Sequence, residues 1–382
     1  MLITDFQITE QGDTKEASAD VDGFRLWYRV PKTYPVSRAG DPFLAAALLP
    51  AMLKGEELEV DPSLSVSPKL LRNISLLQEI HHSWNPVLKI IPVKARTSPA
   101  EQLNKGAFSF FSGGVDSMYT FLKHQREISH VVFIHGFDFY LDNGAYRTAV
   151  TRNSSFVDGF GKTLIPVETN YYVFGHHYNL SRVLTQGSTL ASVALLLGFP
   201  RVYVPASRHY TYLAPLGSHP LTDPLYSNEC VEIIHDGAET RRVDKVIKVA
   251  ECEPTLANLT VCWDDMNTNC GKCIKCLRTL IPLKLLGATA APFPPFSPLK
   301  AIRRISWKDE PNYLKENINL ALQTGNTELH DALLACVRRY ERIQLIKEID
   351  RVLLGGVIKR AYRRIMKHPP GVPLIGITPP RD

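Results

Sequence analysis

Residues 112–117 read Ser-Gly-Gly-Val-Asp-Ser, a set of types suited to holding a polyphosphate. Gly113 and Gly114 let the main chain come close to a bound group. Ser112 and Ser117 add hydroxyl donors, and Asp116 supplies a carboxylate for a metal ion that shares the anion's charge. Residues 107–111 are an apolar, aromatic run of strand type, and the chain from Met118 to His124 suits a helix. A strand that turns through two glycines into a helix points several backbone N–H groups at one place. Ser112, Gly113, Gly114, Val115, Asp116 and Ser117 are therefore the candidate phosphate site, with Asp116 its catalytic carboxylate. The bland alternative is a plain βα turn, where the same residue types are common. It is not a Walker loop, since no Lys follows the glycines at the required place. The nearest approach to that motif, Gly161-Lys162-Thr163, has Phe156 where the first Gly belongs.

Cys262, Cys270, Cys273 and Cys276 form the second chemical motif, C-x7-C-x2-C-x2-C. A C-x2-C step lets two thiolates reach one tetrahedral ion, the overlapping step brings a third, and Cys262 completes four. Gly271 supplies the permissive backbone that such a knuckle needs. Four sulfur ligands close the coordination shell, so Zn²⁺ in a structural site is the expectation. An iron–sulfur cluster and plain buried thiols remain as alternatives. Cys230, Cys252 and Cys336 fall outside the scheme and read as small apolar residues.

These residues must be carried by a scaffold. From Ala107 the pattern alternates strands (107–111, 130–134, 164–167, 201–205) with helices (117–124, 145–159, 188–197). That predicts an α/β fold with a doubly wound, mostly parallel sheet. Ligands of such sheets lie outside the carboxyl ends of the strands. His135 and Asp138, directly after a strand, join the site on that ground, His135 towards cofactor and Asp138 towards substrate; a solvated loop is the alternative. Residues 216–226 make a stiff loop whose Ser218, His219 and Asp223 suit substrate recognition. Their order invites comparison with a hydrolase triad, but neighbours this close in sequence do not form that relay. Residues 241–245 (RRVDK) open a helix whose Lys245 is a candidate for neutralising leaving pyrophosphate, or else a solvated face.

Residues 112–117 in this setting match the signature of the PP-loop ATP pyrophosphatases, which the chain resembles over roughly residues 105–285. With the cysteine pattern following, it is similar to 7-cyano-7-deazaguanine synthase, the zinc-containing branch. The resemblance implies an adenine nucleotide alpha hydrolase-like fold, ATP and Mg²⁺ at residues 112–117, and Zn²⁺ at the four cysteines. It implies that ATP activates a carboxylate with release of pyrophosphate, after which ammonia or another amine displaces AMP. The chain departs from the family on the substrate side. His135-Gly136-Phe137-Asp138 replaces a Tyr-Gly-Gln segment, Gln186-Gly187-Ser188-Thr189 a Pro-x-Arg-Asn segment, and Ser218-His219-Pro220-Leu221 a Tyr-Pro-Asp-Cys loop.

The chain has 382 residues, 45% hydrophobic and 21% charged, room for two or three units. Residues 1–104 read as an α+β accessory domain, with a strand at 24–30, helices at 44–52 and 67–80, and a strand at 88–93. Residues 105–288 read as the catalytic domain and residues 289–382, after the proline-rich break at 291–298, as a helical region. Its basic end (Lys359, Arg360, Arg363, Arg364, Lys367) reads as a solvated face or an RNA contact. Net charge of +6 suits anionic small-molecule substrates and does not demand nucleic acid. No eighteen-residue apolar run and no signal peptide is read, so a cytoplasmic protein without membrane contact, as a possible homodimer, is expected. ATP-dependent nucleoside or tRNA thiolation and a zinc-knuckle nucleic-acid or protein-binding module are the competing functions.

Overall fold

The computed structural model describes residues 1–137, 141, 144–262, 268–304, 312–353, 355, 357 and 376. Asp138 and the basic residues beyond 358 lie outside the described residues. The chain divides into two compact units, one holding Met1–Thr240 and the other Arg241–Pro373.

The first unit begins with a meander of β1 (Leu2–Gln11), β2 (Thr14–Val21) and β3 (Phe24–Pro31), followed by α1 (Asp41–Lys54), β4 (Leu58–Val60), β5 (Ser65–Val66), α2 (Pro68–Trp84), β6 (Val93–Lys94) and β7 (Arg96–Thr97). Then come β8 (Ala107–Phe110), α3 (Val115–Lys123), β9 (Ile128–His135), α4 (Ala145–Asp158), β10 (Thr163–Thr169), α5 (Tyr171–His177), α6 (Arg182–Leu197), β11 (Arg201–Pro205) and β12 (Glu232–Asp236). Ten of these strands share one sheet in the order β12-β11-β8-β9-β10-β3-β2-β1-β4-β6. β12 to β10 pair in parallel, β10-β3-β2-β1 antiparallel, and β1-β4-β6 in parallel again.

The expected α/β class and mostly parallel sheet are present. The N-terminal strands extend the same sheet. β8 is buried at all four residues, as a central parallel strand must be. On one face Phe108, Phe110 and Val204 pack with α1 and α6 in a single apolar cluster. On the other, Phe111 stacks on Phe156 of α4 at 5.6 Å and meets Phe121 of α3 edge-on at 5.8 Å. Removing such a buried ring costs about 3–5 kcal/mol.

Helix ends follow local chemistry. Ser67 caps α2 by accepting from Leu70 N at 3.0 Å, with Pro68 in the first turn where its missing N–H is harmless. Ser181 caps α6, which ends at Gly198 in the left-handed region. Pro50 does not end α1, which continues to Lys54.

The second unit is helical among its described residues: α7 (Arg242–Ala250), α8 (Glu253–Asn258), α9 (Ile274–Leu285), α10 (Pro298–Arg304), α11 (Asn312–Gln323) and α12 (Thr327–Leu353). Val243 and Leu277 share one core with Leu314 and Leu333. Residues 241–288 group with the C-terminal helices in the second unit. No helix among the described residues is long and apolar enough to cross a membrane.

His81 on α2 is 1% exposed, and neither ring nitrogen finds a partner among the described residues. Burial pushes its pKa down to about 4. The unfolded chain therefore takes up a proton near pH 6.5 that the folded chain refuses until about pH 4, and stability falls as pH falls through that window. Urea unfolding should show this group removing about 2 kcal/mol between pH 7.5 and pH 5, and His81→Leu should abolish that part of the pH dependence.

Candidate functional site

The turn after β8 is built by its own hydroxyls. Phe111 N still donates to Val132 O at 2.9 Å, and the chain then leaves the sheet through Gly113 at φ 77°, a conformation that favours glycine. Ser117 Oγ donates to Gly114 O at 3.0 Å and accepts from Ser112 N at 3.2 Å, while Gly114 N donates to Ser112 Oγ at 3.3 Å. Gly114 is the N-cap of α3, and no side chain caps the helix. The first-turn amides have no acceptor within a helix, so this end carries the partial positive charge that attracts anions. Ser112 is exposed, Val115 and Ser117 are buried, and Asp116 lies half-buried in the first turn.

The turn also occupies a particular place in the sheet. From β8 the chain steps through β9 to β10 on one side, and through β11 to β12 on the other. The strand order reverses between β8 and β11, and at such a point the loops part to leave a crevice at the carboxyl ends.

His135 ends β9, the strand beside β8. Its ring lies flat on Tyr146 at 4.0 Å and 8°, with Nδ1 3.8 Å from Glu168 Oε1 on β10. Neither ring nitrogen has a hydrogen-bond partner among the described residues. His135 holds the Glu168 carboxyl below its usual range against the opposing effect of burial. Gly136 follows at φ +84°, where a Cβ would stand 1.7 Å from Thr169 O, so no other residue fits this approach of β9 to β10. Glu168 and Tyr146 carry no sequence signal that would have singled them out.

Ser218, His219 and Asp223 do come together, with a fourth residue the sequence reading missed. Asp223, 2% exposed, accepts from Ser218 Oγ at 2.7 Å, from His219 N at 3.2 Å and from His235 Nδ1 at 2.7 Å. His235 sits on β12, one residue from its carboxyl end. With Nδ1 donating to Asp223, the neutral form of the ring has its lone pair on Nε2. Ser218 gives its hydroxyl proton to a carboxylate and not to an imidazole, so the group is not a hydrolase triad. His219 meets Trp84 edge-on at 5.1 Å, and burial lowers its pKa, with His235 adding to the effect. Two glycines make the cluster possible. A Cβ on Gly187 of α6 would lie 2.1 Å from Gly217 O and 3.0 Å from Asp223 Oδ1. The small residues at the head of α6 therefore serve close backbone packing against the 217–223 loop.

The second unit carries the four cysteines and Lys245. Lys245 lies in α7, 2% exposed, with its N–H on Arg241 O at 3.0 Å. The ligand atoms of Cys262, Cys270, Cys273 and Cys276 all fall within 4.8 Å of one another. Cys262 and Cys273 Sγ are 3.9 Å apart, as are those of Cys270 and Cys276. A tetrahedron of sulfurs about 2.3 Å from zinc has edges of about 3.8 Å, so the donor set fits Zn²⁺. Cys273 N and Lys272 N donate to Cys270 Sγ at 3.2 and 3.4 Å. Gly271 provides the left-handed turn at φ +67°, and Asn269 ties the arms by accepting from Val261 N and donating to Leu259 O, both at 2.8 Å. Cys273 then stands at the N-terminal boundary of α9, and Cys276 is buried within the helix. Neighbouring thiol and burial together push the Cys276 pKa far up. A cation that stabilises the thiolates reverses that preference.

Purified protein should be colourless and carry a single zinc per chain by elemental analysis. Cys276→Ser should lose most of it and lower the thermal unfolding temperature, whereas Cys336→Ser should leave the metal content unchanged. An iron–sulfur chromophore in the purified protein would refute the zinc assignment.

No family model, curated protein or solved structure matches the chain.

Proposed function

We propose that the chain is an ATP-dependent carbon–nitrogen ligase of the PP-loop ATP pyrophosphatase type, similar to 7-cyano-7-deazaguanine synthase. The observation that carries this reading is the uncapped glycine turn between β8 and α3, beside the reversal of strand order. In the proposed reaction a substrate carboxylate oxygen attacks the α-phosphorus of ATP and pyrophosphate leaves. Ammonia or another amine then displaces AMP to form an amide.

Each residue has a physical task. The amides of Gly114, Val115 and the first turn of α3 hold phosphate oxygens, with Ser112 and Ser117 holding the turn in shape. Asp116 holds Mg²⁺, which would supply neutralisation of the phosphate charge. His135 borders the crevice on the β9 side. His235, oriented by Asp223, is suited to take the proton that the amine must lose, and Ser218 and His219 fix that carboxylate. The enzyme's contribution is placement and charge compensation more than covalent chemistry. A thiolation enzyme needs cysteines that cycle, and the gathering of four cysteines into a tetrahedral cluster favours the ligase.

The test is ATP–pyrophosphate exchange screened over a panel of heteroaromatic and aliphatic carboxylates, with nucleotide products separated by chromatography. Exchange with AMP and pyrophosphate as products is expected, reduced about 100-fold or more in Asp116→Ala. ADP and phosphate as products, or exchange that survives Asp116→Ala, would overturn it.

A further inference from the structure

α12 is two amphipathic helices in one. Its N-terminal half buries Leu329, Leu333, Cys336 and Val337 in the core of the second unit. At 3.6 residues per turn that row continues through Tyr340, Gln344 and Lys347 to Asp350, which is buried, and Arg351. The apolar residues of the C-terminal half lie on the opposite side of the helix: Leu345, Ile346, Ile349, Val352 and Leu353. They are 61%, 54%, 42%, 65% and 74% exposed. A helix that served only its own unit would keep its apolar row on one side or end where the core ends.

We infer that this face of α12 is a dimer interface that takes the same face of a second copy of the chain. The spacing supports a helical partner, because 346, 349 and 353 step by three and four, as 345, 349 and 352 do by four and three. Such a stripe accepts an identical stripe by interlocking side chains, and an isologous pair closes on itself. The area supports it too. The exposed patch amounts to several hundred Å², the size that marks interaction sites on single chains. Two copies meeting there, with the stems of flanking side chains, remove roughly 1,000 Å² in total, which a specific interface requires. Charge does not oppose the pairing: residues 341–353 hold three acidic side chains (Glu341, Glu348, Asp350) and three basic ones (Arg342, Lys347, Arg351). A neutral helix of this kind fits its own copy and gives no hold on a polyanion such as nucleic acid.

Light scattering on the full-length chain at micromolar concentration decides this. The expected mass is twice the 42.9 kDa of one chain, halved by Ile349→Asp or by Leu353→Asp. Both positions are exposed, so helical circular dichroism and zinc content should stay at the unsubstituted level. Ile349→Val, which keeps the apolar stripe, should remain dimeric. A single-chain mass for the unsubstituted protein would overturn the inference, as would a dimer that persists in both aspartate variants. Dimerisation that appears only after removal of residues 358–382 would also overturn it, since the face would then be covered by the chain's own tail.

Discussion

The pairing of β3 with β10 is the joint on which the first unit depends. A parallel sheet that ended at β10 would leave a row of unpaired backbone groups at its edge, which is a site for misassociation. β3 covers that edge with a ladder of only two residue pairs, Arg29 with Glu168 and Tyr28 with Thr169. Side chains then extend it where the strands part. Thr169 Oγ1 donates to Trp27 O at 2.8 Å, and Asn170 behaves as an added peptide group, accepting from Trp27 N at 3.0 Å and donating to Arg25 O at 2.8 Å. The N-terminal meander is thereby a continuation of the sheet and not a separate body. The consequence reaches the helices. α1 and α6 bury one common apolar layer, Ser37 N donates to Leu196 O at 2.8 Å, and buried Tyr171 bridges Ala46 O and Ser188 Oγ. Residues at the head of α6, which place Asp223, are therefore supported from the N-terminal hundred residues.

That joint was illegible because its signal is not hydrophobic. β8, β9, β10 and β11 are short apolar runs, and such runs are what patterning detects. β1 has few buried positions in ten, and its residues read as polar chain, yet it pairs with β2 along almost its full length. β12 is five residues, Glu-Ile-Ile-His-Asp, whose three charged or polar members mask a strand that buries Ile233 and Asp236. Thr169 and Asn170 look like ordinary loop residues in sequence. What sets their role is a partner strand about 140 residues earlier, which periodicity within a window does not contain. Pro50 lies inside α1, where tertiary burial of residues 41–52 outweighs the loss of one helical hydrogen bond.

The site divides along the same line. The glycine turn and the cysteine knuckle were legible because each is local: a short segment supplies both the ligating groups and the backbone freedom they require. The Asp223 cluster was half legible. Ser218, His219 and Asp223 are neighbours in sequence, but the imidazole that meets the Asp223 carboxylate is not that of His219. His219 gives Asp223 its backbone N–H, and its ring instead accepts from Leu221 N at 3.1 Å. The imidazole on the carboxylate comes from His235, and reaching it requires knowing that β12 is a strand beside β11. Asp236, the next residue, points to the opposite face, where Thr120, Lys123 and His124 donate to it. One alternation of the strand thus fixes α3 on one face and sets a histidine against Asp223 on the other.

The sign of the charges around α3 also narrows what the turn can hold. Burial alone would raise the pKa of Asp236, but the donors from Lys123, His124 and Thr120 outweigh it and keep the carboxylate ionised. Lys123 is shared between Asp236 and Glu239, so the last turn of α3 is already neutralised. The first turn is different. It offers uncapped amides, which favour an anion, and in the same turn the Asp116 carboxylate, which repels one. At about 4 Å two unit charges interact by roughly 1 kcal/mol in water and several times that near a protein surface. A polyphosphate carries several negative charges, so its repulsion from Asp116 exceeds the contribution of about 0.3–1 kcal/mol from the helix end alone. On the proposed reading, Mg²⁺ between the polyphosphate and Asp116 would offset that repulsion. On that reading the turn therefore takes a metal-bound polyphosphate, and not a bare phosphate or sulfate.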